Sequence, residues 1–185
     1  MDNNSHEIAR QIRQQFFVYR NGLLADNLRN SGDCHKMIFG LNLPQIVNIA
    51  NTFCKDMHVA TELWNSKDTR ECRLIAPMLY PTELFDKNTA ITWAEQTENY
   101  EIADNLCHKL LRNTSYASEL CSYFSEKTEI EQYISLRLAI NLLAIGKTIE
   151  LNKMLTFAIK AINSDNANFV STAKRLIEDI QDLEQ

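Results

Sequence analysis

Glycine and proline are scarce in this chain of 185 residues, which has only four glycines and three prolines. Average usage would make these two residue types about 12% of a globular protein, so the chain has few of the residues that tight turns require. A β-sandwich or β-barrel is therefore disfavoured, as is a disordered or collagen-like chain. With 45% hydrophobic and 23% charged residues, the composition is typical of a globular all-α protein, and we predict one domain over residues 1–185.

Long apolar runs and targeting signals are also missing from the sequence. No run approaches the ~18 residues that a membrane span requires, and residues 1–7 contain no basic group followed by an apolar core. The five cysteines are odd in number, far apart and without a C-x-x-C pair, so neither a disulfide framework nor a zinc site is indicated. We therefore expect a cytoplasmic protein that makes no contact with a membrane.

Motifs for cofactor and metal binding are absent as well. The sequence has no G-x-G-x-x-G, no G-x-x-x-x-G-K and no G-x-S-x-G. Its four histidines never occur three or four residues apart, which excludes a helical pair of metal ligands; they are His6, His35, His58 and His108. The sequence thus predicts no bound cofactor and no metal site.

The net charge of −5 is unevenly distributed. Residues 1–92 contain ten basic and ten acidic residues, whereas residues 93–185 contain nine and fourteen. Nucleic-acid-binding domains normally carry the opposite sign, so DNA binding would depend on local basic patches.

Apolar residues recur with the 3.6-residue period of α-helices through most of the chain. A stripe from Ile8 to Leu23 behind a possible N-cap at Ser5 predicts one long first helix that ends at Gly32. Pro44 stands where a first helical position belongs and predicts the start of a second helix. The capping-box pattern Asp68-Thr69-Arg70-Glu71 predicts another helix, which Pro77 should kink or shorten.

Six more helices are predicted in close succession, over residues 82–96, 98–113, 115–125, 128–145, 148–163 and 165–183. Helices joined by such short connections pack as antiparallel neighbours, so a serial array of helix pairs is the predicted architecture. A compact helical bundle is the alternative, because no repeat is visible at the level of residue identity.

A candidate site lies on the segment 99–112. Tyr100, Asp104, His108 and Arg112 follow one another at intervals of four residues, which puts them on one helix face with an aromatic ring one turn before a carboxylate. Such a face is either a solvated surface with a local ion pair or a site that holds a cation, because a ring face and an anion both attract positive charge.

Arg137 is the only charged residue from Gln132 to Gly146, a helix that is apolar on most sides. Its guanidinium must reach a groove or pair with a carboxylate, since an unpaired buried charge is unfavourable by several kcal/mol. Asp104 and Glu101 are the candidate partners. A structural link between helices and a catalytic or phosphate-binding arginine explain this residue equally well.

Several motifs follow one another in a characteristic order: Phe39-Gly40-Leu41, Pro44-x-Ile46-Val47-x-x-Ala50, Leu63-Trp64, Glu71-x-Arg73-x-x-Ala76, Trp93 and Tyr100-Glu101-Ile102-Ala103-Asp104. This order, which covers roughly residues 22–145, resembles the DNA alkylation repair family. The resemblance implies a HEAT-like, ARM-type array of helix pairs in a curved superhelix, an α-α solenoid. The best-known members are bacterial DNA glycosylases that excise cationic alkylated purines, so the implied partner is double-stranded DNA with alkylated bases.

The resemblance also assigns roles to individual positions. The family's catalytic aspartate falls on Asp104, and the aromatic residue four positions before it, usually tryptophan, falls on Tyr100. The arginine that approaches the DNA backbone in active relatives falls on Arg137. The second tryptophan of the family's cation-binding cleft falls near Leu176, which has no aromatic ring.

The implied reaction is hydrolysis of an N-glycosidic bond. Alkylation makes the base a good leaving group, so one carboxylate, Asp104, would stabilise the oxocarbenium-like sugar and position water. Tyr100 would face the sugar or the base, and Arg137 would hold a phosphate.

The basic groups predicted to form a DNA surface are Arg70, Arg73, Lys109, Arg112, Lys147, Lys174 and Arg175. A non-catalytic scaffold that binds DNA or a protein partner is the alternative, because HEAT-like arrays often serve as scaffolds and a fold alone does not determine function. The sequence therefore leaves open whether the protein is an enzyme.

Overall fold

The computed structural model describes residues 3–183 and contains only helices, turns and one isolated β-bridge over that range. The chain divides into two compact units, Met1–Phe85 and Asp86–Gln185. The single domain predicted over residues 1–185 stays a prediction, and residues 1, 2, 184 and 185 lie outside the described part. Among the described helices, none has the length and apolar character needed to cross a bilayer.

Unit 1 consists of five α-helices and a closing 3-10 turn: α1 (Asn3–Val18), α2 (Gly22–Asn30), α3 (Leu43–Ala50), α4 (Met57–Trp64), α5 (Arg70–Leu79) and the turn Thr82–Leu84. Helix α4 packs against α1 and α5, and α3 packs against α5. The core of this unit is therefore formed by α4 and α5 together with the helices α1 and α3 that pack against them.

The long first helix predicted from the apolar stripe is broken into α1 and α2. Asn21 causes the break, because its backbone N–H donates to the carbonyl of Phe39 at 2.8 Å while its side chain caps Leu24 at the start of α2. Ser5 lies inside α1 and is buried, so its prediction as the N-cap was wrong. The predicted end at Gly32 is confirmed: α2 ends at Asn30, and Gly32 adopts a φ of 90°.

Helix α4 was missed by the sequence analysis, although Asp56 caps it with hydrogen bonds to the backbone N–H groups of His58 and Val59. Helix α5 begins where the capping-box pattern predicts, but the box itself does not form, because Thr69 makes no side-chain cap. Pro77 lies inside α5 without ending it; the helix continues to Leu79.

Glu71 is fully buried and binds the loop before α3 instead of capping its own helix. Its carboxylate accepts hydrogen bonds from the backbone N–H groups of Phe39, Gly40 and Leu41, at 3.1, 3.0 and 3.3 Å. Arg70 donates to the same carboxylate at 3.0 Å. Gly40 is required here, because its φ is 78° and a Cβ would overlap the carbonyl oxygen of Asn21.

Two arginines predicted to contact DNA are part of this core, and that assignment is corrected. Arg70 is 3% exposed and donates to the carbonyl of Leu41 at 3.0 Å as well as to Glu71. Arg73 is 0% exposed; its guanidinium lies 3.5 Å from the ring centroid of Trp64 and donates to the Trp64 carbonyl at 2.7 Å. Because burial separates both guanidinium groups from solvent, neither is available to a DNA backbone in this structure.

Unit 2 contains six α-helices and one 3-10 turn: α6 (Lys87–Glu95), α7 (Tyr100–Lys109), the turn Leu111–Asn113, α8 (Ala117–Phe124), α9 (Glu129–Leu143), α10 (Leu151–Ala161) and α11 (Ala167–Asp182). These helices confirm the six predicted segments, with shorter ends. Helix α9 is central, because α7, α8 and α11 all pack against it. Its buried residues lie on several faces, as the apolar sequence around Arg137 indicates.

The stability of unit 1 should depend strongly on Glu71. We expect Glu71→Ala to lower the free energy of unfolding by about 3–5 kcal/mol, because it removes the acceptor of three backbone N–H groups and leaves Arg70 only the more distant carboxylate of Asp33. Urea denaturation followed by circular dichroism measures the change, with Glu83→Ala on the exposed 3-10 turn as control. Equal, small effects of the two substitutions would contradict a structural role for Glu71.

Candidate functional site

Helices α7, α9 and α11 of unit 2 enclose a cleft of about 550 Å³. The three residues to which the sequence analysis gives catalytic roles all line it, together with Tyr133 and a polar wall from α11. The lining residues are Tyr100, Glu101, Asp104, Tyr133, Arg137, Asn168, Ser171, Thr172 and Arg175. The tertiary structure therefore brings the predicted residues together with several that were not predicted.

A bidentate ion pair joins Asp104 on α7 to Arg137 on α9. The Nε atom of Arg137 lies 2.5 Å from Oδ1 of Asp104, and its Nη2 atom lies 2.8 Å from Oδ2. The two side chains are 36% and 35% exposed, so the pair is half-buried at the cleft surface. Hydrogen bonds to Asp104 raise the pKa of Arg137. Of the two candidate partners, Asp104 is thus the residue that compensates the charge of Arg137.

Tyr133 completes the coordination of the same carboxylate. Its hydroxyl donates to Oδ1 of Asp104 at 2.8 Å. Burial, together with the charge of Asp104, raises the pKa of Tyr133, which keeps the phenol protonated and able to donate. The sequence analysis missed this residue, although Tyr133 precedes Arg137 by one helical turn and could have been found by that spacing.

Tyr100 is held by two sets of contacts. Its ring centroid lies 4.3 Å from that of Tyr133, and its hydroxyl donates to Glu129 at 2.8 Å. The side-chain amide of Asn166 donates to the Tyr100 hydroxyl at 2.5 Å and to Glu129 at 2.8 Å. Burial and the hydrogen bond to Glu129 raise the pKa of Tyr100 to about 12. This aromatic side chain is thus fixed against a second tyrosine.

Helix α11 forms the remaining wall of the cleft with Asn168, Ser171, Thr172 and Arg175. Arg175 is 64% exposed, and its Nη2 atom lies 2.8 Å from Oδ1 of Asp179, one turn further along α11. Leu176, near which the resemblance places the family's second tryptophan, is fully buried and does not line the cleft. The α11 wall of the cleft carries hydrogen-bonding groups and an arginine.

A basic group lies at the end of α7 and in the segment after α9. Arg112 is 3.0 Å from Nδ1 of His108, and Lys147 donates to the carbonyl of Arg112 at 2.8 Å. Burial and the charges of Arg112 and Lys109 lower the pKa of His108. The predicted DNA contacts of unit 2 all remain at least partly exposed: Lys109, Arg112, Lys147, Lys174 and Arg175.

Within residues 3–183, one group of three potential metal ligands lies within 4.8 Å of one another: Asp33, Cys34 and His35. The imidazole of His35 is already bound to Asp33 at 2.7 Å, and the Nε atom of Arg70 lies 3.8 Å from the other carboxylate oxygen of Asp33. A guanidinium so close repels a metal cation. These residues therefore fit a structural role beside α5 better than a metal site.

The architecture of the chain is a HEAT-like helical fold. A solved structure described as "A new family of proteins related to the HEAT-like repeat DNA glycosylases with affinity for branched DNA structures" superimposes with a TM-score of 0.78. It shares 12% sequence identity, and the match covers 92% of this chain and 74% of that chain. At this identity the likeness concerns the fold, and it confirms the predicted all-α, HEAT-like class.

The model of the DNA alkylation repair enzyme family matches residues 12–179. The chain therefore belongs to the DNA alkylation repair family, and the resemblance noted in the sequence is confirmed. No curated protein matched the sequence.

The ion pair between Asp104 and Arg137 should contribute measurably to stability. In a double-mutant cycle of Asp104→Asn and Arg137→Gln we expect a coupling free energy of about 1–2 kcal/mol, less than for a fully buried pair because solvent reaches both side chains. Denaturant unfolding of the four proteins measures this coupling. The exposed pair of Lys87 and Glu119, substituted in the same way, is the control and should show coupling near zero. Equal coupling in the two cycles would contradict the structural importance of the pair.

Proposed function

We propose that this protein binds DNA through unit 2, using the cleft and the neighbouring cations Arg112 and Lys147. The observation that carries the proposal is the placement of these cations. In a half of the chain with an excess of acidic residues, Lys147 donates to the carbonyl of Arg112 just after α7, the helix that carries Asp104, and Arg137 lines the cleft beside it. Such local clustering is what DNA binding requires of an acidic protein, since phosphate contacts are short-range in physiological salt.

The hydrogen bonds to the carboxylate of Asp104 favour DNA binding without base excision. One oxygen of its carboxylate accepts from Tyr133 and Arg137, and the other accepts from Arg137. An oxocarbenium-like sugar needs a carboxylate whose charge is available, whereas here a guanidinium compensates it. No aromatic ring of α11 lines the cleft, so a cationic base would find no ring on that wall.

Cleavage of the N-glycosidic bond of cationic alkylated purines is the second candidate function. It is favoured by the position of Tyr100, Asp104 and Arg137 on one open cleft. In this function a backbone phosphate would take Arg137 away from Asp104 when DNA binds, and the carboxylate would then face the sugar. A cytoplasmic, bacterial setting for either function stays a prediction.

DNA binding should depend on Lys147. We expect the wild-type protein to bind duplex and four-way-junction DNA at low salt, and we expect Lys147→Gln to weaken binding and to reduce the salt slope by about 1, because one phosphate contact is lost. Fluorescence anisotropy over a series of salt concentrations provides the measurement. Lys67→Gln, an exposed lysine of unit 1, is the matched control. Equal losses of DNA affinity for the two variants would place the binding surface elsewhere. Tighter binding of the junction than of the duplex would extend to this chain the affinity for branched DNA that is described for the structural neighbour.

The two candidate functions differ in base release. We expect no release of methylated base from N-methylated duplex DNA by the wild-type protein above the level of Asp104→Asn, because Arg137 compensates the carboxylate. Chromatography of the released bases measures the reaction. Release by the wild type that Asp104→Asn abolishes would establish the second candidate, an N-glycosylase, in place of the first.

A further inference from the structure

A second cavity of unit 2, with a volume of about 850 Å³, has no part in the functions considered above. Its lining residues come from the end of α8, the first turn of α9, the outer side of α10 and the segment that leads into α11. The volume falls in the range of ~300–1,000 Å³ that small-ligand sites occupy. The cavity is therefore large enough for a ligand that the cleft does not take.

An aromatic ring forms the apolar part of this cavity. Phe157 on α10 is partly exposed there, and its ring centroid lies 6.4 Å from that of Phe169 on α11, with 64° between the ring planes. Phe169 is only 4% exposed. Because the two rings meet edge to face, Phe169 does not cover Phe157 as a parallel partner would. Phe157 thus offers a surface on which a flat ring can stack.

Side-chain amides surround the ring of Phe157. Asn152 and Asn163 are exposed in the cavity, and neither side chain has a hydrogen-bond partner among residues 3–183. Gln132 donates its amide N–H to the carbonyl of Lys127 at 3.0 Å, which leaves its amide oxygen as an acceptor. An amide presents a donor beside an acceptor, and this pattern matches the polar edge of a nucleobase.

The charged groups of the cavity balance one another. Lys153 lies 3.4 Å from Glu126, and Glu129 accepts a hydrogen bond from the Tyr100 hydroxyl at 2.8 Å. Among the charged lining residues, Lys160 is the one without a partner in residues 3–183. With two lysines and two glutamates, the lining has no excess of positive charge that would draw in a free inorganic anion. A neutral flat ring with polar edges, attached to an anionic backbone beside Lys160, is the ligand that suits these groups.

Glu129 connects this cavity with the cleft. Glu129 lines the cavity, and the residue that donates to it, Tyr100, lines the cleft. Along α9, Glu129 precedes Arg137 by eight residues, so about 12 Å of helix separates the cavity from the cleft. DNA that is held at the cleft can therefore extend to the cavity within unit 2.

We propose that this cavity is a nucleobase-binding site, in which a base stacks on Phe157 and its edge meets the amides of Asn152 and Asn163. The inference rests on the proposed DNA-binding function and adds a second site to it. The base comes from an unpaired nucleotide of the bound DNA or from a free nucleotide, which has the same chemistry. Since stacking on aromatic rings tolerates every base, the site selects unpaired nucleotides over paired ones and not one base over another.

A duplex that contains one unpaired adenine tests this site against the same duplex without it. In fluorescence anisotropy we expect the wild-type protein to bind the bulged duplex about tenfold more tightly, because the unpaired base gains an aromatic partner. Phe157→Leu should remove this preference and leave binding of the paired duplex unchanged, whereas Phe157→Tyr should keep the preference because it keeps the ring. Phe17→Leu, which changes an exposed phenylalanine of unit 1, is the matched control.

Asn152→Ala is a second variant that leaves the contact between the two phenylalanine rings intact, because Asn152 is exposed and its side chain packs on neither ring. We expect it to reduce the preference for the bulged duplex about threefold, the effect of one lost hydrogen bond. Asn30→Ala, an exposed asparagine at the end of α2, is its control and should leave the preference unchanged.

Titration with deoxyadenosine monophosphate, followed by the NMR signals of the Phe157 ring, distinguishes the two sources of the base. A preference for the bulged duplex that depends on Phe157 assigns the site to unpaired nucleotides of DNA. A shift of the ring signals by the mononucleotide without such a preference assigns it to a free nucleotide.

The same measurements separate this inference from the proposed function. If DNA binds, the variants Phe157→Leu and Phe17→Leu behave alike and the mononucleotide leaves the ring signals unchanged, the nucleobase site is wrong and the DNA-binding function stands. If the mononucleotide shifts the ring signals but DNA does not bind, the nucleobase site stands and the DNA-binding function is wrong. If neither the mononucleotide nor DNA binds, both are wrong.

Discussion

The permanent positive charge of Arg137 on a largely buried helix is the constraint from which the arrangement of the cleft follows. Because α7, α8 and α11 all pack against α9, a charge on this helix is tolerated only where a partner compensates it. Asp104 supplies that partner from α7 and binds both Nε and Nη2. Tyr133 binds the same carboxylate, because its position on α9 one turn before Arg137 brings its hydroxyl to Asp104.

The same ion pair changes the groups that the cleft offers to a ligand. A free carboxylate near aromatic rings would attract a cationic base, whereas a carboxylate bound to a guanidinium presents the remaining donors of that guanidinium instead. Leu176 lies in the core and Arg175 lies beside it at the surface. The α11 wall therefore adds a cation to the cleft and no aromatic ring. The protein thus combines the fold and family of the DNA alkylation repair enzymes with a cleft in which Arg137 and Tyr133 bind the carboxylate of Asp104.

Three charged residues of the family motif in unit 1 stabilise the core, although their charge suggests a place at the surface. Arg70, Glu71 and Arg73 are all buried, and their partners include backbone groups, the ring of Trp64, the carboxylate of Asp33 and, for Arg70 and Glu71, each other. Glu71 connects the start of α5 to a loop about 30 residues earlier in the chain. Nothing in the local sequence distinguishes such a charge from one on the surface, because its burial depends on distant segments.

Sequence alone determined the helical class, the positions of most helices and the family, because the helical period and the family motifs are local patterns. It also selected three residues that line the cleft, Tyr100, Asp104 and Arg137. Tyr100 and Asp104 could be grouped from the sequence because they share one helix face. Tertiary structure decided the break before α2, the pairing of Asp104 with Arg137, and the position of α11 as one wall of the cleft. These contacts join residues 33 and 66 positions apart, as between Asp104 and Arg137 or Tyr100 and Asn166, and only the packing of helices around α9 brings such residues within bonding distance.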